Sequence, residues 1–320
     1  MEDQLIIKAR GLGSNYYNHK IFCILEELSA FYDFLACNEE EDAKEQIVTG
    51  KKTLFFNIYS SIQGTFESLK LVVYTGRLND AFALARKYAD AITTSLYLIT
   101  RVDNDASKII ESSTDIKSIF SASEARKWTL NSKKLYRNTS IPNAALCEVD
   151  AYLGDLLQLA NQKNDSDCKK NNKNRQVCND NLHYNSWSDF SNNDLNYLRQ
   201  NGRSILLLDK LFDALVYFFT EHFSYLYLLK PQLYCACDYA SFLGTDKELG
   251  TDAKYFAASI VKEMFNKYIK TAYPKVAEYL ISKNIMDLAY IIHSGFISGY
   301  QNRYGDNLKP PTNVYHRMTA

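Results

Sequence analysis

Apolar residues recur at three- and four-residue spacing along most of the chain, the signature of helices that bury one face. Ile21, Ile24, Leu25, Leu28, Phe31, Tyr32 and Leu35 predict a helix from about Asn18 to Ala36. Leu54, Phe55, Ile58, Ile62, Phe66, Leu69 and Val73 predict a second, over about Lys52 to Tyr74. Gly76 is placed to end that helix in the left-handed conformation that Gly adopts cheaply. A third, from about Leu78 to Arg101, carries Phe82, Leu84, Tyr88, Ile92, Leu96 and Ile99 inward. So short a connection makes the pair antiparallel neighbours.

The remainder alternates strong and weak patterns. Ser121-Ala122-Ser123-Glu124 fits a capping box opening a short helix through Trp128. Pro142 starts a predicted helix to about Asn161. Between 161 and 201, 12 of 41 positions are Asn and the periodicity fades, so the segment is either a flexible link or a polar site held by its neighbours. Ser204 to Leu229 is then apolar nearly all round, which places it inside a domain or a subunit interface, and Pro231 stops it. A helix from Asp252 to Tyr273, another opened by Pro274 and an apolar stretch from Leu288 to Ile297 complete the pattern. Glu39-Glu40-Glu41-Asp42 reads as a solvated connector. The expected organisation is an N-terminal arm and helix (1–48), a helical bundle (49–230) and a C-terminal helical subdomain packed on it (231–320).

Composition sharpens the fold class. The chain has 12 Gly and 5 Pro in 320 residues, where average usage gives about 22 and about 16. That deficit leaves few tight turns for a sandwich or barrel and points to an all-α bundle of about eight or more helices with a long buried central one. With 37 basic against 37 acidic residues, no bulk charge drives the chain onto nucleic acid. Seven irregularly spaced cysteines read as reduced thiols. Met1-Glu2-Asp3-Gln4 lacks the regions of a signal peptide, and no stretch is long and apolar enough for a membrane span, so a cytoplasmic location with no membrane partner is expected.

Several familiar chemistries lose their signals. Gly11-Leu12-Gly13-Ser14-Asn15-Tyr16 has Tyr where a dinucleotide fingerprint wants its third Gly. Gly50-Lys51-Lys52-Thr53 resembles part of a phosphate loop, but Glu45 stands at the upstream Gly and its carboxylate would repel phosphate. Cys235-Ala236-Cys237 has the wrong spacing for zinc, so no metal and no cofactor is expected. Among the histidines, His222 reads as a neutral, locally hydrogen-bonded core residue, His19 and His316 as surface residues, and His293 as structural. His183 differs, because it is polar on nearly every side. On a helix, Asn179 and Asp180 would lie one turn before it and could fix its tautomer and orientation.

The pairing of Gly76-Arg77-Leu78-Asn79-Asp80-Ala81-Phe82-Ala83-Leu84-Ala85-Arg86 with a later Asn179-Asp180-Asn181-Leu182-His183 resembles the HEPN superfamily, over about residues 50–230. The resemblance implies an all-α bundle, usually dimeric, presenting an Arg followed after four to six residues by His. Active members cut RNA without metal, often as toxins or in phage defence; others serve as binding or assembly modules. This chain departs from the motif: seven residues separate Arg175 from His183, about 80° and about 12 Å on a straight helix. Arg86 is an alternative source of the positive charge, although Asp90 stands at its i+4 position for a helix-surface ion pair.

Two classes of function follow. One is a non-catalytic HEPN-like recognition module of a bacterial defence or toxin system, with a homodimer and an RNA or protein partner in view. The other is a metal-independent endoribonuclease with His183 as general acid–base and Arg86 or Arg175 on the phosphate, supported by Asn179 and Asp180. Two basic stretches bear on an RNA partner: residues 163–175, and Arg126, Lys127, Lys133, Lys134 and Arg137 with no acid among them. Trp187, Tyr184 and Tyr197 are candidate base-stacking residues or packing over the Asn-rich segment.

Overall fold

The apolar stripes become helices, and each is closed by a local device. The computed structural model describes residues 12–38, 43–111, 116–132, 173–182, 187, 191–235, 257–283, 285 and 288. Among these the chain is all-α, with a single β-bridge between Cys235 and Ala257. The acidic run at 39–42, the helix expected over 142–161, the start of the one expected from 252 and the stretch from 289 lie outside the described residues, as do His293 and His316.

A helical turn, Ser14–Tyr17, leads into α1 (Ile21–Cys37), which buries all seven of its stripe residues. His19 opens it. The sequence placed this residue on the surface, yet its Nδ1 accepts the Ile21 N–H and its Nε2 lies 3.1 Å from Asp209, leaving the side chain 9% exposed. In α2 (Ala43–Thr49) the buried Glu45 carboxylate accepts the N–H of Leu54, first residue of α3 (Leu54–Tyr74). The residue that disqualifies a phosphate loop is therefore a helix cap.

Between α3 and α4 (Leu78–Glu111) the chain turns at Gly76, with φ +73°. Arg77 N–H donates to Val72 and Gly76 N–H to Val73, the paired bonds that close a helix around a left-handed residue. A Cβ on Gly76 would meet Leu195 Cδ2 at 2.5 Å and Leu12 Cδ1 at 2.7 Å, so those two side-chain ends would have to shift in addition to the backbone strain. α4 runs past the expected end at Arg101 because buried Val102 and Ala106 continue the stripe through the polar Asp103-Asn104-Asp105. α5 (Ile116–Ala122) and α6 (Glu124–Thr129) meet at Ser123. Ser123, not Ser121, is the cap, its hydroxyl accepting the Arg126 N–H, while Glu124 accepts from Tyr97 instead of reaching back.

The Asn-rich segment is held by its neighbours where it is described. It supplies α7 (Lys173–Leu182) and α8 (Leu195–Asn201), and buried Asn192 donates to Asn181 at 3.1 Å. Asn193 Oδ1 accepts the N–H groups of Asn79 and Asp80 at 2.9 and 3.3 Å, capping α4 from 114 residues away. The long central helix is α9 (Arg203–Leu229), buried without a break from Ala214 to Tyr227, whereas Leu206 near its start is 53% exposed. α3 lies against α1 and α4, and α4 meets α2, α7 and α9.

Residues cluster into two compact units, Met1–Leu229 and Lys230–Ala320. In the second, Pro231–Tyr234 forms a 3₁₀ turn. α10 (Ser259–Met264) continues through a π-turn at Phe265–Ile269 to Lys270–Ala272, and Pro274 occupies the first turn of α11 (Pro274–Ser282). No helix among the described residues is long and apolar enough to cross a membrane.

Candidate functional site

The polar chemistry of the first unit gathers in two places on α4, one at the rim and one inside. The rim group forms where α7 lies along α4. Arg86 donates from Nε to Asn179 Oδ1 at 2.9 Å and from Nη1 to Asp90 Oδ1. Arg175 reaches the same Asp90 oxygen at 3.2 Å, and its Nη2 donates to the Ala89 carbonyl at 2.9 Å and Thr93 Oγ1 at 2.6 Å. Its guanidinium carbon stands 5.9 Å from the Phe218 ring centre of α9. Two guanidinium groups thus share one carboxylate, and the trio carries one net positive charge. Buried Cys178 lies within their field, but burial dominates and pushes its thiol up to about 12.

Of the five residues singled out in the sequence, three converge here: Arg86, Arg175 and Asn179. Asp180 does not join them; it accepts from Gln176 at 2.5 Å on the exposed side of α7. His183 lies outside the described residues, as does Tyr184. The ion pair expected of Arg86 and Asp90 is present, and Arg175 adds to it. Sequence reasoning missed Thr93 and the second use of Asp90. The available signal was spacing: Arg86, Asp90 and Thr93 stand at i, i+4 and i+7 on a helix whose other faces are largely apolar. Trp187 is 75% exposed, and Tyr197 accepts from Arg203 at 3.2 Å.

The inner group is centred on His222 of α9, fully buried as the sequence indicated. Tyr32 Oη lies 2.7 Å from His222 Nδ1 and 2.7 Å from Tyr88 Oη, and Ser95 Oγ lies 2.9 Å from His222 Nε2. Ser95 donates its own proton to the Ile92 carbonyl at 3.1 Å. That last bond fixes the direction of the others by elimination. Nε2 carries the imidazole proton and gives it to Ser95, Nδ1 accepts from Tyr32, and Tyr32 accepts from Tyr88. Each polar group of the chain is thereby satisfied with no net charge. Tyr32 also stacks on the imidazole, with ring centres 5.6 Å apart. Burial lowers the His222 pKa to about 3, so the ring stays neutral. It raises that of the neighbouring Glu221 carboxyl, which Arg175 lowers only in part.

Chemically, the inner chain is a packed, neutral relay with no opening described. The rim group alone presents charge to solvent. No group of three or more metal-ligating side chains occurs among the described residues. Comparison with family models, with curated proteins and with solved structures gave no match.

Proposed function

We propose that the protein is a non-catalytic, HEPN-like helical recognition module of a bacterial defence or toxin system, acting in the cytoplasm as a homodimer. One observation carries the choice against catalysis. Arg86 and Arg175 are bonded to Asp90, Asn179, Thr93 and a backbone carbonyl. A ribonuclease needs such a guanidinium aimed at the charge developing on phosphate. Here a carboxylate already occupies that position.

A second reading, metal-independent RNA cleavage, is favoured by the meeting of Arg86 with Arg175 and Asn179 at the half-exposed Asp90, the latter two on the helix whose chain leads to His183. Incubating the full chain with labelled RNA in the presence of a chelator separates the two. The module reading expects no cleavage by wild type and none by His183→Ala. Chelator-resistant cleavage that disappears in a folded His183→Ala variant replaces it with the ribonuclease reading, since losing a general acid–base costs about 10²-fold or more. Light scattering tests the dimer.

A further inference from the structure

The turns that α4 adds from Arg101 onward border an open cleft of about 370 Å³, lined among the described residues by Arg101, Asp105, Lys108, Ile119, Ala122 and Glu124. Arg101, Asp105 and Lys108 stand at i, i+4 and i+7, so one stripe of the helix alternates positive, negative, positive. Glu124 adds a carboxylate from the start of α6, and Ile119 and Ala122 of α5 an apolar wall. Tyr97 holds two of these groups in place before anything binds. Its ring centre lies 5.2 Å from the Arg101 guanidinium carbon, and its hydroxyl donates to Glu124.

Asp105 is the group with bonding capacity left over. It is 9% exposed, and its Oδ2 is buried with no hydrogen-bond partner. Its Oδ1 stands 3.8 Å from Lys108 Nζ, an ion pair beyond hydrogen-bond range. A buried carboxylate oxygen that lacks a donor is costly, so a donor brought into the cleft is favoured. The Lys108 side chain is 66% exposed and can move aside to admit one.

From this juxtaposition we infer that the cleft between α4 and the α5–α6 corner binds a free aliphatic α-amino acid, its ammonium on Asp105, its carboxylate on Arg101 and its side chain against Ile119 and Ala122. The inference goes beyond the recognition-module reading and does not depend on it, because the cleft shares no residue with the rim cluster. Residues one helical turn apart have Cβ atoms about 5–6 Å apart, so a carboxylate and a guanidinium can grip the two ends of one amino acid. A guanidinium also matches a carboxylate with two parallel hydrogen bonds. A polyamine would meet like charge at Arg101 and Lys108, and a dicarboxylate would meet it at Asp105 and Glu124. A zwitterion finds an opposite charge for each end.

The test is calorimetric titration of the full chain at neutral pH with free L-leucine. Isoamylamine and 4-methylpentanoate are titrated in parallel; they keep the leucine skeleton and lack the carboxylate and the amine respectively. Leucine should bind saturably, and each analogue about tenfold more weakly or worse, having lost one charged end. Asp105→Asn should weaken leucine and isoamylamine by about tenfold or more and leave 4-methylpentanoate within about twofold. Arg101→Gln should weaken leucine and 4-methylpentanoate and spare isoamylamine. A general loss of structure would not give that crossed pattern. Circular dichroism checks both variants, and if one fails to fold the other carries the test. Absent leucine binding, or leucine binding untouched by either folded variant, overturns the proposal. So does isoamylamine binding as tightly as leucine, which marks a cation site, or 4-methylpentanoate doing so, which marks an anion site. Failure on any of these counts leaves the module reading to its own RNA-cleavage test.

Discussion

The two polar clusters on α4 solve opposite problems with similar numbers of groups. Tyr32, Tyr88, Ser95 and His222 are buried and uncharged, and their protons run one way to a backbone carbonyl. Arg86, Arg175 and Asp90 are charged and sit where Asp90 is 44% exposed. Removing a charge from water costs several kcal/mol per ion, so charge stays at the rim and neutral hydrogen bonding goes inside. Phe218 stands between them. Its ring centre is 6.3 Å from that of Tyr88 on one side and 5.9 Å from Arg175 on the other.

Removing that partition should have the largest effect. Phe218→Ala empties a fully buried site and is expected to cost about 3–5 kcal/mol in denaturant melts. A loss under about 1 kcal/mol would show that the two clusters do not depend on a packed wall.

Acid should separate the clusters next. The His222 pKa of about 3 lies below its unfolded value of 6.5. The unfolded chain therefore binds the proton first, and the stability contributed by neutral His222 is present above pH 6.5 and lost as pH falls toward 3. At about pH 4.5 the loss relative to about pH 7 should be about 2–3 kcal/mol. Glu221 works the other way, because its raised pKa favours the folded state as pH falls. Measuring His222→Gln alongside wild type cancels that contribution, since Glu221 is present in both. The variant should show a shallower acid limb; parallel limbs would mean that His222 is not the proton acceptor.

The smallest effect belongs at the rim. Arg86→Ala removes one of two guanidinium groups from a half-exposed carboxylate and should cost about 1 kcal/mol or less. Added salt should shrink that cost further, while leaving Phe218→Ala unchanged. A salt-insensitive loss as large as that of Phe218→Ala would place the rim pair energetically in the core.

How much of this the sequence disclosed depends on whether the cause was local. The all-α class, the Gly76 stop and the Pro274 start follow from periodicity and from residues within a turn or two. The burial of His222 follows from its place on an apolar helix face, but its hydrogen bonds, expected to be local, come from Tyr32 and Ser95, 190 and 127 residues away. Ser123 displaced Ser121 as a cap because Tyr97, 27 residues back, holds Glu124. α4 outran its expected end because buried partners outweigh a polar run that propensity alone reads as a stop. Arg175 pairs with Asp90 across 85 residues, and His19 with Asp209 across 190, distances at which spacing rules are silent.

The cap that Asn193 places on α4 carries a consequence for the order of folding. A helix start normally finds its acceptor in the residue just before it, available as soon as the turn forms. Here the first amides of the longest helix wait for a side chain 114 residues downstream. On the ribosome, α3 and α4 can pair while the opening of α4 stays frayed until residue 193 emerges. Closing so long a loop sets this contact among the late steps. An Asn193→Ala change should then speed unfolding and leave the folding rate nearly untouched.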